Sequence, residues 1–113
     1  MEIRERQLGR ITILNLSGQA ILSAAPEGLS QVVRGHLEAG DRLFVLNLAD
    51  CSKMDSTGLG ELVKAQRLVA DGKGVLKLAR VPPALRSLFI VTNLTELVEI
   101  FETEQAAINS FGA

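Results

Sequence analysis

Residues 54–60 read Met-Asp-Ser-Thr-Gly-Leu-Gly and join an apolar run, residues 43–48, to a segment of helical period, residues 59–70. A run that is apolar on both faces is typical of a central strand covered on both sides. Apolar residues recurring three and four positions apart predict a helix. Asp55 is predicted to cap that helix, because a carboxylate can accept hydrogen bonds from the unpaired N–H groups of the first turn. The chain therefore passes from strand through a short polar loop into a helix.

This loop is where we place the function. Ser56 and Thr57 are expected at the first helical positions with their hydroxyls toward solvent. Gly58 and Gly60 are unusual in a first turn, since each costs about 1 kcal/mol relative to alanine in a helix interior. Glycine at such positions suggests that another molecule approaches the backbone closely.

The remaining elements follow from the same kind of pattern. We predict an edge strand at 2–7, a strand at 11–16 ended by Ser17-Gly18, a helix from Ser23 and Pro26 to Gly40, a strand at 75–78, a helix starting at Pro82-Pro83, a strand at 97–101 and a helix capped by Thr103. The order is β-β-α-β-α-β-α-β-α, with four to five strands and four helices. This alternation predicts one α/β domain over 1–113 with a mixed, mostly parallel sheet. Sites in such sheets lie beyond the carboxyl ends of the strands, where we expect the loop from Asp50 to Gly60.

Composition excludes several classes of function. The net charge is −1 with basic and acidic residues well mixed, so nothing favours nucleic-acid binding. Cys51 is the single cysteine, which excludes an internal disulfide and fits a reducing compartment. The charged N-terminus is unlike a signal peptide, and no apolar run approaches the roughly 20 residues that span a bilayer. We expect a cytoplasmic protein without direct membrane insertion.

Particular residues do not fit the motifs of enzymes or cofactor-binding proteins. A hydrolase nucleophile in Gly-x-Ser-x-Gly is excluded by Met54, and His36, on the margin of an apolar stripe, is a poor candidate for the base. A dinucleotide-binding Gly-x-Gly-x-x-Gly is excluded by Val63. One cysteine and one histidine, far apart in sequence, give no metal site. We therefore expect neither an enzyme nor a bound cofactor.

Leu46-Asn47-Leu48, the stretch 54–60, Gly72 and Pro82 together resemble the sulfate transporter and anti-sigma factor antagonist (STAS) domain. The similarity covers essentially the whole chain and is greatest to the free-standing bacterial antagonists of anti-sigma factors. The resemblance implies that Ser56, or less readily Thr57, is phosphorylated by the anti-sigma factor, an ATP-binding serine kinase. It also implies that the unphosphorylated form binds this kinase and frees its sigma factor, and that a metal-dependent phosphatase restores that form.

Physical chemistry agrees with such a switch, since a phosphoserine adds about −1.5 to −2 charges. At a helix start these charges would meet unpaired N–H groups, so the effect should fall on a docked partner and not on folding. Glu61, Lys64 and Arg67 are expected on a solvated face bordering the docking surface. A weak homodimer is a further expectation. The predicted partner-binding residues are Met54, Asp55, Ser56, Thr57, Gly58, Leu59, Gly60, Glu61 and Lys64.

Two positions depart from the family pattern. Residues 18–21 are Gly-Gln-Ala-Ile, where family members often carry an acidic residue, and Asn47 stands where the third strand is often acidic. This difference leaves a second hypothesis open, in which the chain is an unphosphorylated subunit that binds the ATPase of an ABC-type lipid transporter. A subunit of a stress-signalling assembly is a third.

Overall fold

The computed structural model describes residues 2–20 and 28–112. The predicted helix cap Ser23, together with Pro26, lies outside these residues. The elements are β1 (Glu2–Leu8), β2 (Ile11–Ala20), α1 (Leu29–Glu38), β3 (Leu43–Met54), α2 (Ser56–Asp71), β4 (Val75–Ala79), α3 (Pro83–Val91), a 3₁₀ turn (Leu94–Glu96), β5 (Ile100–Phe101) and α4 (Glu104–Asn109). Their order confirms the predicted fold class.

The five strands form one mixed sheet in the order β1-β2-β3-β4-β5. The hairpin of β1 and β2 is antiparallel, and the other three pairings are parallel. Each parallel pairing is connected by a segment that contains a helix, which is the arrangement that parallel neighbours require. The carboxyl ends of β2 and β3 therefore lie side by side, next to the start of α2.

Apolar side chains cover both faces of β3. Phe44, Leu46 and Leu48 belong to the main core, which also receives buried residues of α1, α2 and α3. Val45 points to the opposite face, where a smaller core contains Ala107 of α4. The prediction of a central strand covered on both sides is confirmed.

Two strands are longer than predicted. β2 continues past Ser17-Gly18 to Ala20, and β3 continues past Leu48 to Met54. These extensions pair with each other, with register shifts near Ser17 and Gly18. Backbone pairing does not require apolar side chains. The hydropathy pattern therefore did not predict these extensions, which are mostly polar. Only Asp55 separates β3 from α2, so the predicted loop at 50–60 is wrong for most of its length.

The end of the sheet and one helix face also differ from expectation. The strand predicted at 97–101 contains only Ile100–Phe101, because the chain before it forms the 3₁₀ turn and leaves Leu97 51% exposed. In α2 the buried stripe includes Ala65, whereas Ala70, the last residue of the segment with helical period, is exposed. One residue turns a helix by 100°, so Ala70 lies well to the side of the buried Val69.

Candidate functional site at the start of α2

Asp55 caps α2 as the sequence predicts. Its backbone is extended, and its side-chain Oδ1 accepts hydrogen bonds from the N–H groups of Thr57 and Gly58, each at 3.0 Å. Its carbonyl oxygen accepts the first helical bond from Leu59, at 2.9 Å. A cap of this kind typically stabilises a helix by about 1 kcal/mol. The start of α2 is therefore fixed directly at the end of β3.

The exposed side of the first turn of α2 is polar and carries only small side chains. Ser56, Thr57 and Gly60 are exposed, whereas Gly58 is buried. A methyl group added at Gly60 would meet no described atom within 4 Å, so internal packing does not require glycine there. Residues four apart share a helix face, so Ser56 has no side chain beside it at position 60.

Met54 and Leu59 are half buried and pack against the main core. Apolar side chains at this place could either face the core or form an exposed patch for a partner. Most of their surface is committed to folding, which leaves the exposed part of the first turn largely polar.

The cap also changes the expected surroundings of a phosphate. We predicted that a phosphoryl group on Ser56 would meet unpaired N–H groups, but those of Thr57 and Gly58 are already bonded to Asp55. A phosphate on Ser56 would instead stand beside the Asp55 carboxylate and face solvent. The two neighbouring negative charges would repel each other.

Glu61 does not lie on a solvated face as predicted. It is half buried, and its Oε1 accepts hydrogen bonds from Ser30 Oγ at 3.0 Å and from the Ser30 N–H at 3.3 Å. Gly28, which precedes α1, carries no side chain that could cap the helix, and a side chain there would displace the Glu61 carboxylate. Glu61 therefore caps α1 from α2, and the two helix starts are joined.

A cavity of about 270 Å³ lies between these two helix starts. Its lining includes Leu29, Thr57, Glu61, Leu62 and Lys64. Three of these are predicted partner-binding residues. Lys64 is exposed, as is Arg67 one turn further along α2, in agreement with the sequence expectation.

Asn47 contributes nothing to this site. It lies on the α4 face of the sheet, is 6% exposed, and its Nδ2 donates to Glu104 Oε2 at 2.8 Å. Its Oδ1 accepts from the Ala49 N–H at 3.0 Å. A carboxylate in its place could not donate to Glu104, so the local network accounts for an amide here. The sequence pattern could not predict this hydrogen bond, because its two residues are 57 positions apart.

The other departure from the family pattern does lie near the site. In the pairing of β2 with β3, Gln19 is opposite Lys53 and Ala20 is opposite Met54, immediately before Asp55. Ile21 lies outside the described residues. The end of β2 therefore brings a neutral amide to this edge of the sheet.

The side chains weighed for a catalytic base and for a metal site have the following surroundings. Both ring nitrogens of His36 are bonded to carboxylates, those of Glu5 and Asp41, and not to a nucleophile. Residues 2–20 and 28–112 contain no group of three or more histidine, cysteine or acidic side chains that could hold a metal ion. No helix in the same residues is long and apolar enough to cross a membrane.

The fold and the site define a small α/β domain in which a helix start capped by Asp55 presents an exposed serine at the carboxyl edge of the sheet. A model of the STAS domain family matches residues 2–107, and the chain belongs to this family. The resemblance seen in the sequence is confirmed.

The chain is similar to several proteins that are named anti-sigma factor antagonists. The chain is 30% identical over 95 residues to the anti-sigma-B factor antagonist of Bacillus subtilis (strain 168), a match that covers 84% of this chain and 85% of that protein. The fold is similar to that of the Bacillus cell fate determinant SpoIIAA in its phosphorylated form, with a TM-score of 0.76, 21% identity and coverage of 97% and 99% of the two chains. It is also similar to an anti-sigma factor antagonist from Mycobacterium paratuberculosis, with a TM-score of 0.84, 18% identity and coverage of 96% and 92%.

Proposed function

We propose that this protein is an anti-sigma factor antagonist that binds its partner with the start of α2 and is switched by phosphorylation of Ser56. The partner is an anti-sigma factor that acts as an ATP-binding serine kinase, and a metal-dependent serine phosphatase reverses the modification. The observation that carries the proposal is the exposed Ser56 on a capped helix turn, with no side chain four residues further on at Gly60. It occurs in a chain 30% identical to the anti-sigma-B factor antagonist of B. subtilis.

The electrostatics of the turn support a switch that acts on binding. A phosphate brings about −1.5 to −2 charges to a position next to the Asp55 carboxylate. Because Asp55 already occupies the N–H groups of Thr57 and Gly58, the added charge is less satisfied within the protein. A partner docked on this surface would have to bury the charge or dissociate. Burying an unpaired charge is costly, so the complex dissociates.

A second function is favoured by one observation, the neutral residues at the end of β2. Gln19 and Ala20 lie opposite Lys53 and Met54, beside the start of α2, where a kinase substrate of this family would often offer a carboxylate. A subunit that binds the ATPase of an ABC-type lipid transporter would use the same helix start without phosphorylation.

The test is an affinity capture from native lysate with wild type, Ser56→Asp and Ser56→Ala as baits, with bound proteins identified by mass spectrometry. Ser56→Ala removes the phosphoacceptor without adding charge and is the matched control for the aspartate variant. We expect wild type and Ser56→Ala to retain a kinase-like ATPase and Ser56→Asp to lose it. A transporter ATPase retained by all three baits would overturn the proposal in favour of the second function.

Phosphorylation is tested separately with the captured kinase and radiolabelled ATP. Wild type and Thr57→Ala should be labelled equally, and Ser56→Ala should not be labelled. Label that persists on Ser56→Ala and disappears from Thr57→Ala would move the site to Thr57. A captured kinase that labels none of the proteins would leave the binding function but remove the switch.

A further inference from the structure

A single histidine joins the edge strand of the sheet to α1. His36 lies in the last turn of α1 with its side chain 20% exposed. Its Nε2 is 2.5 Å from Glu5 Oε1 on β1, and its Nδ1 is 2.8 Å from Asp41 Oδ2 in the loop after the helix. The ring packs edge-on against Phe44 of the main core, with 6.2 Å between ring centroids. Three separate parts of the fold thus meet at one imidazole.

Both contacts can be hydrogen bonds only when the imidazole is charged. A neutral imidazole donates from one nitrogen, and an ionised carboxylate is an acceptor only. With a carboxylate at each nitrogen, loss of the proton turns one hydrogen bond into a contact between a lone pair and an anion. The position of His36 in the last turn of a helix adds to the preference for the cation.

The structure indicates which of the two bonds would be given up. Asp41 is tied to His36 by a backbone bond as well, from its N–H to the His36 carbonyl at 2.9 Å. Glu5 belongs to a strand 31 residues away, and its side chain is 50% exposed. Neutral His36 can therefore keep Asp41 with little rearrangement, whereas the Glu5 carboxylate is free to turn toward water.

We propose that His36 is a proton-operated clamp that holds the edge strand β1 against α1 and releases Glu5 when the imidazole loses its proton. The clamp is not the sole link of β1 to the rest of the fold, since Arg6 also bonds Glu104 of α4 on the other face of the sheet at 2.6 Å. Pairing with β2 also remains. Release therefore loosens the strand without unfolding the domain, and it is independent of the function proposed for Ser56.

The charges around the ring favour protonation. Glu5 faces it from β1 and Asp41 from the loop, while β3 contributes the uncharged Phe44. On α1 itself the neighbouring charged residues Arg34 and Glu38 are exposed. Burial of the ring opposes its charge, but the hydrogen bonds and charges of Asp41 and Glu5 outweigh burial and raise the pKa of His36 above its ordinary value of 6.5.

The sign of the effect follows from linkage. Because the folded-state pKa is raised, the clamp contributes its full stability below pH 6.5 and loses it as the pH rises through the folded-state pKa. The strand should therefore be held more tightly in mildly acidic solution than in alkaline solution.

The experiment is an NMR titration of the His36 ring in the full chain, together with amide hydrogen-exchange protection of residues 3–8 corrected for the intrinsic pH dependence of exchange. We expect a His36 pKa above 6.5, a lower pKa in Glu5→Gln, and a loss of β1 protection in wild type as the ring deprotonates. His36→Gln should show the reduced protection at every pH. Arg34→Gln, an exposed change on the same helix, should behave like wild type.

A His36 pKa at or below 6.5 would overturn the proposal, and so would β1 protection that is equal on both sides of the titration. If His36→Gln does not fold, Glu5→Gln still provides the test, since it removes only the carboxylate on the strand. A pKa unchanged by Glu5→Gln would show that the strand is not coupled to the proton.

Discussion

Gly60 lies one turn after Ser56 on the exposed side of α2, with no described atom within 4 Å of where a methyl group would stand. We expect Gly60→Ala to raise the free energy of unfolding by up to about 1 kcal/mol, because alanine is the better helix former. We also expect it to weaken binding of the captured partner, because the methyl group occupies the surface next to Ser56. Urea unfolding and isothermal titration calorimetry measure the two effects.

Gly35 provides the matched control for this change. It is an exposed glycine within α1, and a methyl group there also meets no described atom within 4 Å. Gly35→Ala should stabilise the fold by a similar amount and leave partner binding unchanged. If Gly60→Ala binds as tightly as Gly35→Ala, the partner does not touch the first turn of α2 and the proposed docking surface is wrong.

Single residues of the site were predictable to different degrees. Asp55 was predictable because a cap and the amides that it bonds are separated by only two or three residues, and the helix pattern fixes their geometry. Glu61 was not, because its partner Ser30 is 31 residues away and belongs to another helix. Local spacing carries no information about such a link, so a half-buried carboxylate looked like an ordinary surface residue.

At the scale of elements, Glu61 makes the starts of α1 and α2 depend on each other. We expect Glu61→Ala to lower the free energy of unfolding by about 1 kcal/mol, a typical net value for hydrogen bonds at a partly exposed site. The loss should be concentrated in α1, as reduced amide exchange protection of its first turn. Glu61→Gln keeps an acceptor oxygen and should lose less.

Lys64→Ala is the control, since Lys64 lies on the same helix and is exposed. It should leave the protection of α1 unchanged. Equal protection in Glu61→Ala and Lys64→Ala would mean that the bond to Ser30 does not support the start of α1.

A second tie between elements involves Asn47 of β3 and Glu104 of α4. We expect Asn47→Asp to destabilise the protein at neutral pH by about 1–3 kcal/mol, because two carboxylates would then meet across 2.8 Å in place of a donor and an acceptor. Acidification should relieve part of the loss as one carboxylate gains a proton. Thermal unfolding at pH 7 and at pH 4 measures both effects.

Asn15→Asp is the comparison, because Asn15 Oδ1 accepts from Arg6 and a carboxylate can accept in the same way. It should have little effect. A neutral outcome for Asn47→Asp would show that the amide is not needed at that position.

The order of elements was predictable because hydrophobic period distinguishes helices from strands. The ends of the elements were less predictable where side-chain polarity and backbone pairing disagree. Residues Asp50 to Lys53 are mostly polar, yet they continue β3 because the end of β2 pairs with them. A pairing partner is a tertiary fact, and hydropathy cannot reveal it.

At the scale of the whole molecule, Glu5 and Arg6 link β1 to α1 and to α4 on opposite faces of the sheet, and these two links respond to pH in opposite directions. His36 fastens Glu5 on the α1 face when it is protonated. Glu104 fastens Arg6 on the α4 face when it is ionised. The fold is therefore expected to be most stable at a pH at which both groups are charged.

We expect protonation of Glu104 to set the lower pH limit of that range. Burial raises the pKa of this carboxyl, but the hydrogen bonds from Arg6 and Asn47 and the nearby charges of Arg6 and Arg80 outweigh burial and lower the pKa below 4.5. A lowered folded-state pKa means that the stabilisation is complete above the unfolded value and is lost as the pH falls through the folded one. The loss should release α4 from the sheet, since Glu104 is the first residue of that helix.

We therefore expect Glu104→Gln to be less stable than wild type at pH 7 and to lose less stability between pH 5 and pH 3, as measured by thermal unfolding across the range. Glu102→Gln is the control, because Glu102 is 89% exposed and lies 3.7 Å from Arg86, where solvent screens the pair. It should follow the wild-type curve. Parallel curves for Glu104→Gln and wild type would mean that the acid loss arises elsewhere, and that the tie between β1 and α4 does not set the lower limit of stability.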